Sequence, residues 1–388
     1  MNYLKEIVGE GKVEEAFELA SHYFDSLERA PEVMCGGLEK APELLNAMAG
    51  LQTLPFLRKL AERFSAILFD SSRVRQECHP QIVNCLAVTS QIASTYEDFD
   101  QAQWIGAILG RSMAGREAEH TDCCGNALGR LLTPAAGERL IELYIEKRND
   151  SAWARTVLTL LKCLGPAAGE KVFRRLEEET SASNRMRLMR LLSQLGPEAT
   201  ELARSRLSDE RWYVVRNACM VVGELGEPDL PRLLSGPLRH PDSRVQQAAI
   251  TAIIKSHAPD SAKVLAEALP YLHPHILELA LDELSFLKEQ SSVGGVEQFI
   301  LQNKGQKSAA LDKAVRVLAG VNTDRATEAL GRVVSDAGHA LPIRKTALEA
   351  LSRSPLAIAQ EFLTGFARGS PNDPLAAECR KILGTSQG

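Results

Sequence analysis

A chain of 388 residues is too long for one ordinary globular core, so it implies two or three domains or one extended repeat array. With 45% apolar and 24% charged residues it is a folded protein, and a net charge of -5 argues against generic nucleic-acid binding. No apolar run approaches the roughly 20 residues of a membrane span, and the weight on Leu, Ala and Val with only 5% aromatics favours helices.

The chain opens on MNYLKEIVGEGKVEEAFELA, an acidic amphipathic stretch without the basic and apolar regions of a signal peptide, which leads to an expected cytoplasmic location. Residues 1–50 hold 4 Lys/Arg against 10 Asp/Glu. Helical periodicity runs over Val13 to Leu27, Pro42 to Met48 and Pro55 to Phe69, in no clear repeat register. Residues 1–78 are therefore expected to form a divergent helical cap that blunts the end of a stack, or else a docking element. The GEGK run from Gly9 to Lys12 lacks the flanking strand and hydroxyl residue of a phosphate loop and reads as a helix break. Residues 79–118 read as two helices joined near Tyr96 to Asp100, a divergent repeat.

From residue 119 onward the chain repeats. PAAGE occurs at Pro134 to Glu138 and again at Pro166 to Glu170, and TLLKCLGP, RLLSQLGP and MVVGELGEP end at Pro166, Pro197 and Pro228. Equivalent turns fall near Thr133, Gly165, Gly196, Gly226, His257, Leu287, Gly320 and Arg353, a spacing that signals stacked units. Within one unit, Val215, Ala218, Val222 and Leu225 follow helical spacing, and Leu230, Leu233, Leu234 and Leu238 follow after the turn. Each unit is thus two amphipathic helices, with Gly closing the first and Pro opening the second. Asn149 to Ser151, Ser181 to Asn184, Ser208 to Glu210 and His240 to Ser243 supply candidate N-cap oxygens for the next unit. Such a hairpin cannot bury its own apolar stripe, so neighbours must stack. The expected fold is all-α, a right-handed α-α superhelix (α-solenoid) of about eight hairpins over 119–384, with 385–388 as a disordered tail.

The stretch Asp209 to Ile253, DERWYVVRNACMVVGELGEPDLPRLLSGPLRHPDSRVQQAAITAI, resembles HEAT repeats of the short bacterial type. Asp209, Val215, Arg216 and Ala218 match the hallmark of an Asp-bearing loop followed by Val-Arg and a small residue; the next unit keeps Asp242, Val245 and Ala248 but carries Gln246 in place of Arg. The resemblance places the second helices, near 135–147, 167–178, 198–207 and 228–238, on a concave surface.

No catalytic motif, cofactor site or metal site emerges from the sequence. The run His120 to Cys124 supplies at most three zinc ligands and reads as packing. Eight cysteines with no CxxC pair read as small core residues in a reducing compartment. HEAT-like deoxyhypusine hydroxylases carry repeated His-Glu pairs, and this chain has none. Related DNA glycosylases place tryptophans on a basic concave face, whereas Trp153 and Trp212 here read as plugs between repeats. Phycobilin lyases share related short repeats, but no residue singles out a bilin pocket.

Residues 139–255 hold 19 Lys/Arg against 15 Asp/Glu. Arg139 and Lys171 occupy one place in successive units, with Arg232 and Lys263 within about one residue of it and Leu202 interrupting the row; Arg175 and Arg206 form a second row. These six are the candidate partner-binding residues, a stripe for an acidic segment of a protein. The competing reading pairs them with Glu142, Glu170, Glu178 and Glu201 on a solvated face. The expected function is a cytoplasmic, non-enzymatic scaffold or adaptor holding a protein partner. The alternatives are a nucleic-acid-binding or repair protein and a lyase-type chaperone subunit.

Overall fold

The computed structural model describes residues 2–70, 76–114, 118–227 and 229–385. Among them every regular element is helical. The chain divides into two compact units, 1–199 and 200–388.

The first unit begins with α1 (Asn2–Gly9), α2 (Val13–Arg29), α3 (Met34–Ala47) and α4 (Leu54–Phe69). The glycine-rich break is real: α1 stops at Gly9 and Gly11 turns the chain at φ 78° before α2. Buried Ala16, Ala20, Phe24 and Leu27 line one face of α2, the spacing of an amphipathic helix. Phe24 meets Phe64 of α4 edge to face at 5.0 Å. Arg63 of α4 reaches Glu28 and Asp25 on α2 at 2.6 and 2.7 Å, and Tyr23 donates to the Gly37 carbonyl of α3 at 2.7 Å. The next helix, α5 (His79–Thr95), is buried on most sides and packs on α3 and α4.

Cys35 of α3 and Cys78, just before α5, are joined in a disulfide with their Cα atoms 4.9 Å apart. This corrects the reading of all eight cysteines as isolated core thiols. The pair is 43 residues apart in sequence, and only the packing of α3 on α5 brings it together. Of the others, Cys85, Cys124, Cys219 and Cys379 are buried, as core residues should be.

Beyond α5 come α6 (Phe99–Met113), α7 (Ala118–Leu128), α8 (Pro134–Glu146), α9 (Ser151–Cys163), α10 (Pro166–Glu178) and α11 (Ala182–Leu195), and α12 (Pro197–Ser205) leads into the second unit. In each PAAGE copy Pro opens a second helix, and the Ala136–Gly137 and Ala168–Gly169 pairs that follow are buried. Gly165 and Gly196 turn at φ 59° and 114°, which favours glycine. The cap expected near Asn149 is Asp150, accepting Trp153 N at 2.8 Å. At Ser181 the capping differs: Glu179, from the preceding loop, accepts Ser181 N at 2.8 Å. One buried group is out of keeping with this core. Gln101 of α6 is 1% exposed and neither its Oε1 nor its Nε2 has a partner among the described residues. An unsatisfied buried polar group costs about 1–3 kcal/mol, so Gln101→Met is expected to raise stability by about 1 kcal/mol, read as a higher urea midpoint with unchanged slope.

The second unit contains α13 (Trp212–Leu225), α14 (Leu230–Leu233), α15 (Ser243–Ser256), α16 (Ser261–Ala268), α17 (Pro274–Leu287), α18 (Val293–Gln302), α19 (Ala309–Val321), α20 (Asp324–Ser335), α21 (Leu341–Ser352), α22 (Ala357–Gly369) and α23 (Ala376–Thr385). Thr385 closes the last helix; 386–388 of the expected tail, and Pro228 of the turn, lie outside the described residues. Counting from α7/α8 to α21/α22, eight hairpins follow one another among the described residues, as the turn spacing predicts. The turns at Gly226 and His257 fall where expected, both left-handed, while those expected near Leu287 and Gly320 sit at Lys288 and Asn322, also left-handed at φ 52° and 51°. Once glycine is replaced in the turn, its spacing no longer marks the register.

The fourth residue of several first helices makes an equivalent bond. Arg185 of α11 donates to the carbonyls of Glu179 and Thr180, Gln246 of α15 to that of His240, and Arg344 of α21 to that of Val334. Gln246 also donates to Tyr271 O at 3.0 Å and accepts His273 N at 2.9 Å, so glutamine in the family's arginine position still ties one repeat to the next. The tryptophans act as bricks in these seams. Trp212 lies under the Arg244 guanidinium of the following hairpin at 3.4 Å, and Trp153 meets Phe99 at 5.7 Å with Lys147 over its ring at 4.1 Å.

His339, in the loop between α20 and α21, is buried at 5% exposure. Burial lowers its pKa below the usual 6.5, with Lys304 and Arg344 acting in the same sense against Asp336. A histidine depressed on folding contributes stability above about pH 6.5, and that contribution is lost as pH falls through 6.5 toward the depressed value. Thermal melts of wild type and His339→Leu at pH 7.5 and 5.0 should therefore show a larger acid-induced loss in wild type.

Candidate functional site

The six basic residues predicted to face a partner are distributed over both units: Arg139, Lys171 and Arg175 in the first, Arg206, Arg232 and Lys263 in the second.

In the first unit α8 and α10 run as neighbouring second helices. Lys171 of α10 lies against the start of α8, with Nζ 3.4 Å from the Pro134 carbonyl and 3.7 Å from Glu138. Arg139 of α8 is half-exposed and meets three carboxylates: Glu97 at 2.9 Å, Glu142 at 3.1 Å and Glu146 at 3.2 Å. The hydrogen bonds it donates to Glu97 first, then to Glu142, hold its guanidinium pKa above the ordinary value. Two cations thus share this face with Glu97, Glu138, Glu142 and Glu146. The face carries ordered charges of both signs rather than a positive stripe.

Arg175 is turned away from that row. It pairs with buried Glu179 at 3.0 Å, whose carboxylate also accepts Ser181 N and Asn184 Nδ2. Burial works against the charge on Glu179, but these bonds outweigh it and hold the carboxyl below its usual range. Arg175 is therefore part of the α10–α11 joint.

In the second unit Arg206 follows α12 in a short 3-10 turn, 3.8 Å from Asp209. The second helix expected over 228–238 is cut short: α14 is four residues long, and a 3-10 turn at Pro237–Arg239 follows. Pro231 sits in the first turn of α14, where its missing N–H costs nothing, but Pro237 has no N–H to carry the helix on and Gly236 before it weakens it. Arg232 on α14 is exposed and pairs with Asp260 at 2.7 Å, at the start of α16. Lys263 of α16 is exposed and stands nearby in sequence. Arg139 and Lys171 are thus brought together on adjacent helices, as are Arg232 and Lys263 on α14 and α16, while Arg175 belongs to a different setting. The acidic partners on i+3 and i+7 of the same helix were legible from spacing. Glu97, 42 residues from Arg139, was not.

In the run His120 to Cys124, Cys124 is buried and Asp122 is exposed. His120 Nε2 lies 2.7 Å from Ser112 Oγ and 3.5 Å from Cys124 Sγ, and its ring meets His79 at 5.2 Å. Among the described residues no group of three or more His, Cys, Asp or Glu is arranged to hold a metal ion, and no helix is long and apolar enough to cross a membrane.

Stacked helical hairpins tied by a repeated side-chain clamp define an all-α helical-repeat solenoid. Residues 201–275 match the family model of HEAT repeats, so the chain carries HEAT repeats across α13 to the start of α17. No curated protein matches the chain. Among solved structures it is similar to human deoxyhypusine hydroxylase in complex with glycerol, at 16% identity over 64% of this chain and 96% of that one, with a TM-score of 0.27. It is also similar to a chain of the Kap95p–RanGDP complex, at 13% identity over 88% of this chain and 50% of that one, TM-score 0.33. A third is a chain from a structure of the cadherin and beta-catenin interaction, at 13% identity over 97% of both, TM-score 0.35.

Proposed function

We propose that this protein is a non-enzymatic, cytoplasmic scaffold that holds a protein partner on its second-helix face, with Arg139 and Lys171 at the centre of the contact. The observation that carries this reading is the ordered, mixed-charge row on α8 and α10, where each cation has acids within reach. A polyanion needs uncompensated positive charge, because its affinity comes from phosphate neutralisation and counterion release. A face of alternating sign suits a folded protein or an acidic segment whose charges interleave with it. Kap95p with RanGDP, and cadherin with beta-catenin, are protein–protein examples on similar helical architectures.

The test is affinity capture from nuclease-treated native lysate with wild type and with Arg139→Glu/Lys171→Glu, both first shown folded by circular dichroism. The expected result is a protein captured stoichiometrically by wild type and at least tenfold less by the variant. Capture that disappears on nuclease treatment, or is equal for both baits, overturns the reading.

A further inference from the structure

The last hairpins of the second unit border an open groove. It has a volume of about 690 Å³ and lies between the loop preceding α21 and the loop preceding α23, lined by His339, Arg344, Ser370, Asn372 and Asp373 among others. Two of these side chains are more than nine-tenths buried, His339 at 5% and Arg344 at 4% exposure.

Arg344 is fixed by two bonds, Nε to the Val334 carbonyl at 2.8 Å and Nη2 to Asp373 at 2.5 Å. These set the plane of the guanidinium and leave the two N–H groups of Nη1 without a partner among the described residues. His339 Nε2 has no partner there either. The nearest carboxylate oxygen, Asp336 Oδ2, is 4.0 Å away, beyond hydrogen-bond reach, and Asp336 already accepts Lys304 Nζ at 2.5 Å and Gly338 N at 2.8 Å. A buried polar atom left unpaired is unfavourable, and His339 Nε2 is such an atom at the edge of this groove.

We infer that this groove binds a carboxylate, whose two oxygens accept from Arg344 Nη1 and from the His339 imidazole. The planar fork of the guanidinium matches a carboxylate. Charge selects the same class: Asp373 and Asp336 already balance Arg344 and Lys304, so a monoanion adds one uncompensated charge and a phosphate dianion adds two. The carboxylate is supplied by a free small acid or by the C-terminus of a polypeptide.

The experiment is an NMR titration of the whole protein with acetate at neutral pH and constant ionic strength, following the Arg344 and His339 side-chain signals. Saturable shifts are expected. In His339→Leu, which leaves both bonds of Arg344 in place, the dissociation constant should rise at least tenfold; Arg344→Lys, which lacks the fork, should bind no acetate. Inorganic phosphate should bind more weakly than acetate. N-acetyl-diglycine binding more tightly than acetate identifies a chain terminus as the source, equal affinity identifies a free acid, and its C-terminal amide should not bind. No saturable shift with acetate, unchanged affinity in His339→Leu, phosphate tighter than acetate, or amide equal to acid would each overturn the inference.

Discussion

Phe64→Ala is expected to lower the stability of the first unit by about 3–5 kcal/mol, the usual loss for truncating a fully buried phenylalanine. Phe64 has no exposed surface and packs edge to face on Phe24 of α2, so the substitution opens a cavity between α2 and α4. In a stack of hairpins the damage spreads through neighbours rather than through one global core. Hydrogen exchange should therefore show protection lost over α2 to α5 and retained over α13 to α22. A substitution that left α2 to α5 protected would mean that the N-terminal helices are not integral to the array.

The second large effect concerns the bond between Cys35 and Cys78. Closing a loop across 43 residues of sequence restricts the unfolded chain and corresponds to about 4 kcal/mol in the chain-entropy account, an upper figure for a helix pair already in contact. Cys35→Ser is expected to lower the denaturation midpoint of the first unit, and reductant should do the same to wild type while leaving the variant unchanged. A mass count gives a sharper readout. Alkylation of the denatured, unreduced protein should add six labels, and reduction should raise this to eight. Alkylation in the folded state should be slow at Cys85 and Cys219, because burial pushes both thiols up to about 12. Eight labels without reductant would show the pair open.

The pair also illustrates what the sequence conceals. Repeat spacing and the PAAGE copies specify local structure, so the hairpins, the proline-opened helices and the turns at Gly165, Gly196 and Gly226 could be read directly. Contacts that exist only after stacking left no periodic trace. Gly295 is one such case: a Cβ there would come within 2.6 Å of the Ala266 backbone, so its lack of a side chain is what allows α18 to lie on α16. The candidate site was legible to the same degree. The spacing of Arg139 and Lys171 placed them on neighbouring helices, and Glu179 stands four residues after Arg175, but the approach of Glu97 to Arg139 depends on tertiary packing. The shortened α14 follows from Gly236 and Pro237, which the apolar spacing of Leu230 to Leu238 masks.

The clamps made by Arg185, Gln246 and Arg344 carry a consequence for how the chain can change in length. Arg185 and Gln246 each reach the backbone of the loop before their own helix, Arg344 reaches the last turn of α20, and Gln246 also grips the loop before α17. A residue inserted between hairpins, as at 240–243 or 271–273, would pull a carbonyl out of reach and break the grip. None of these three clamps lands on the turns inside the hairpins, such as those at His257 and Asn322. Tags, loops or whole inserted domains should therefore be accepted along that edge of the stack and rejected along the other.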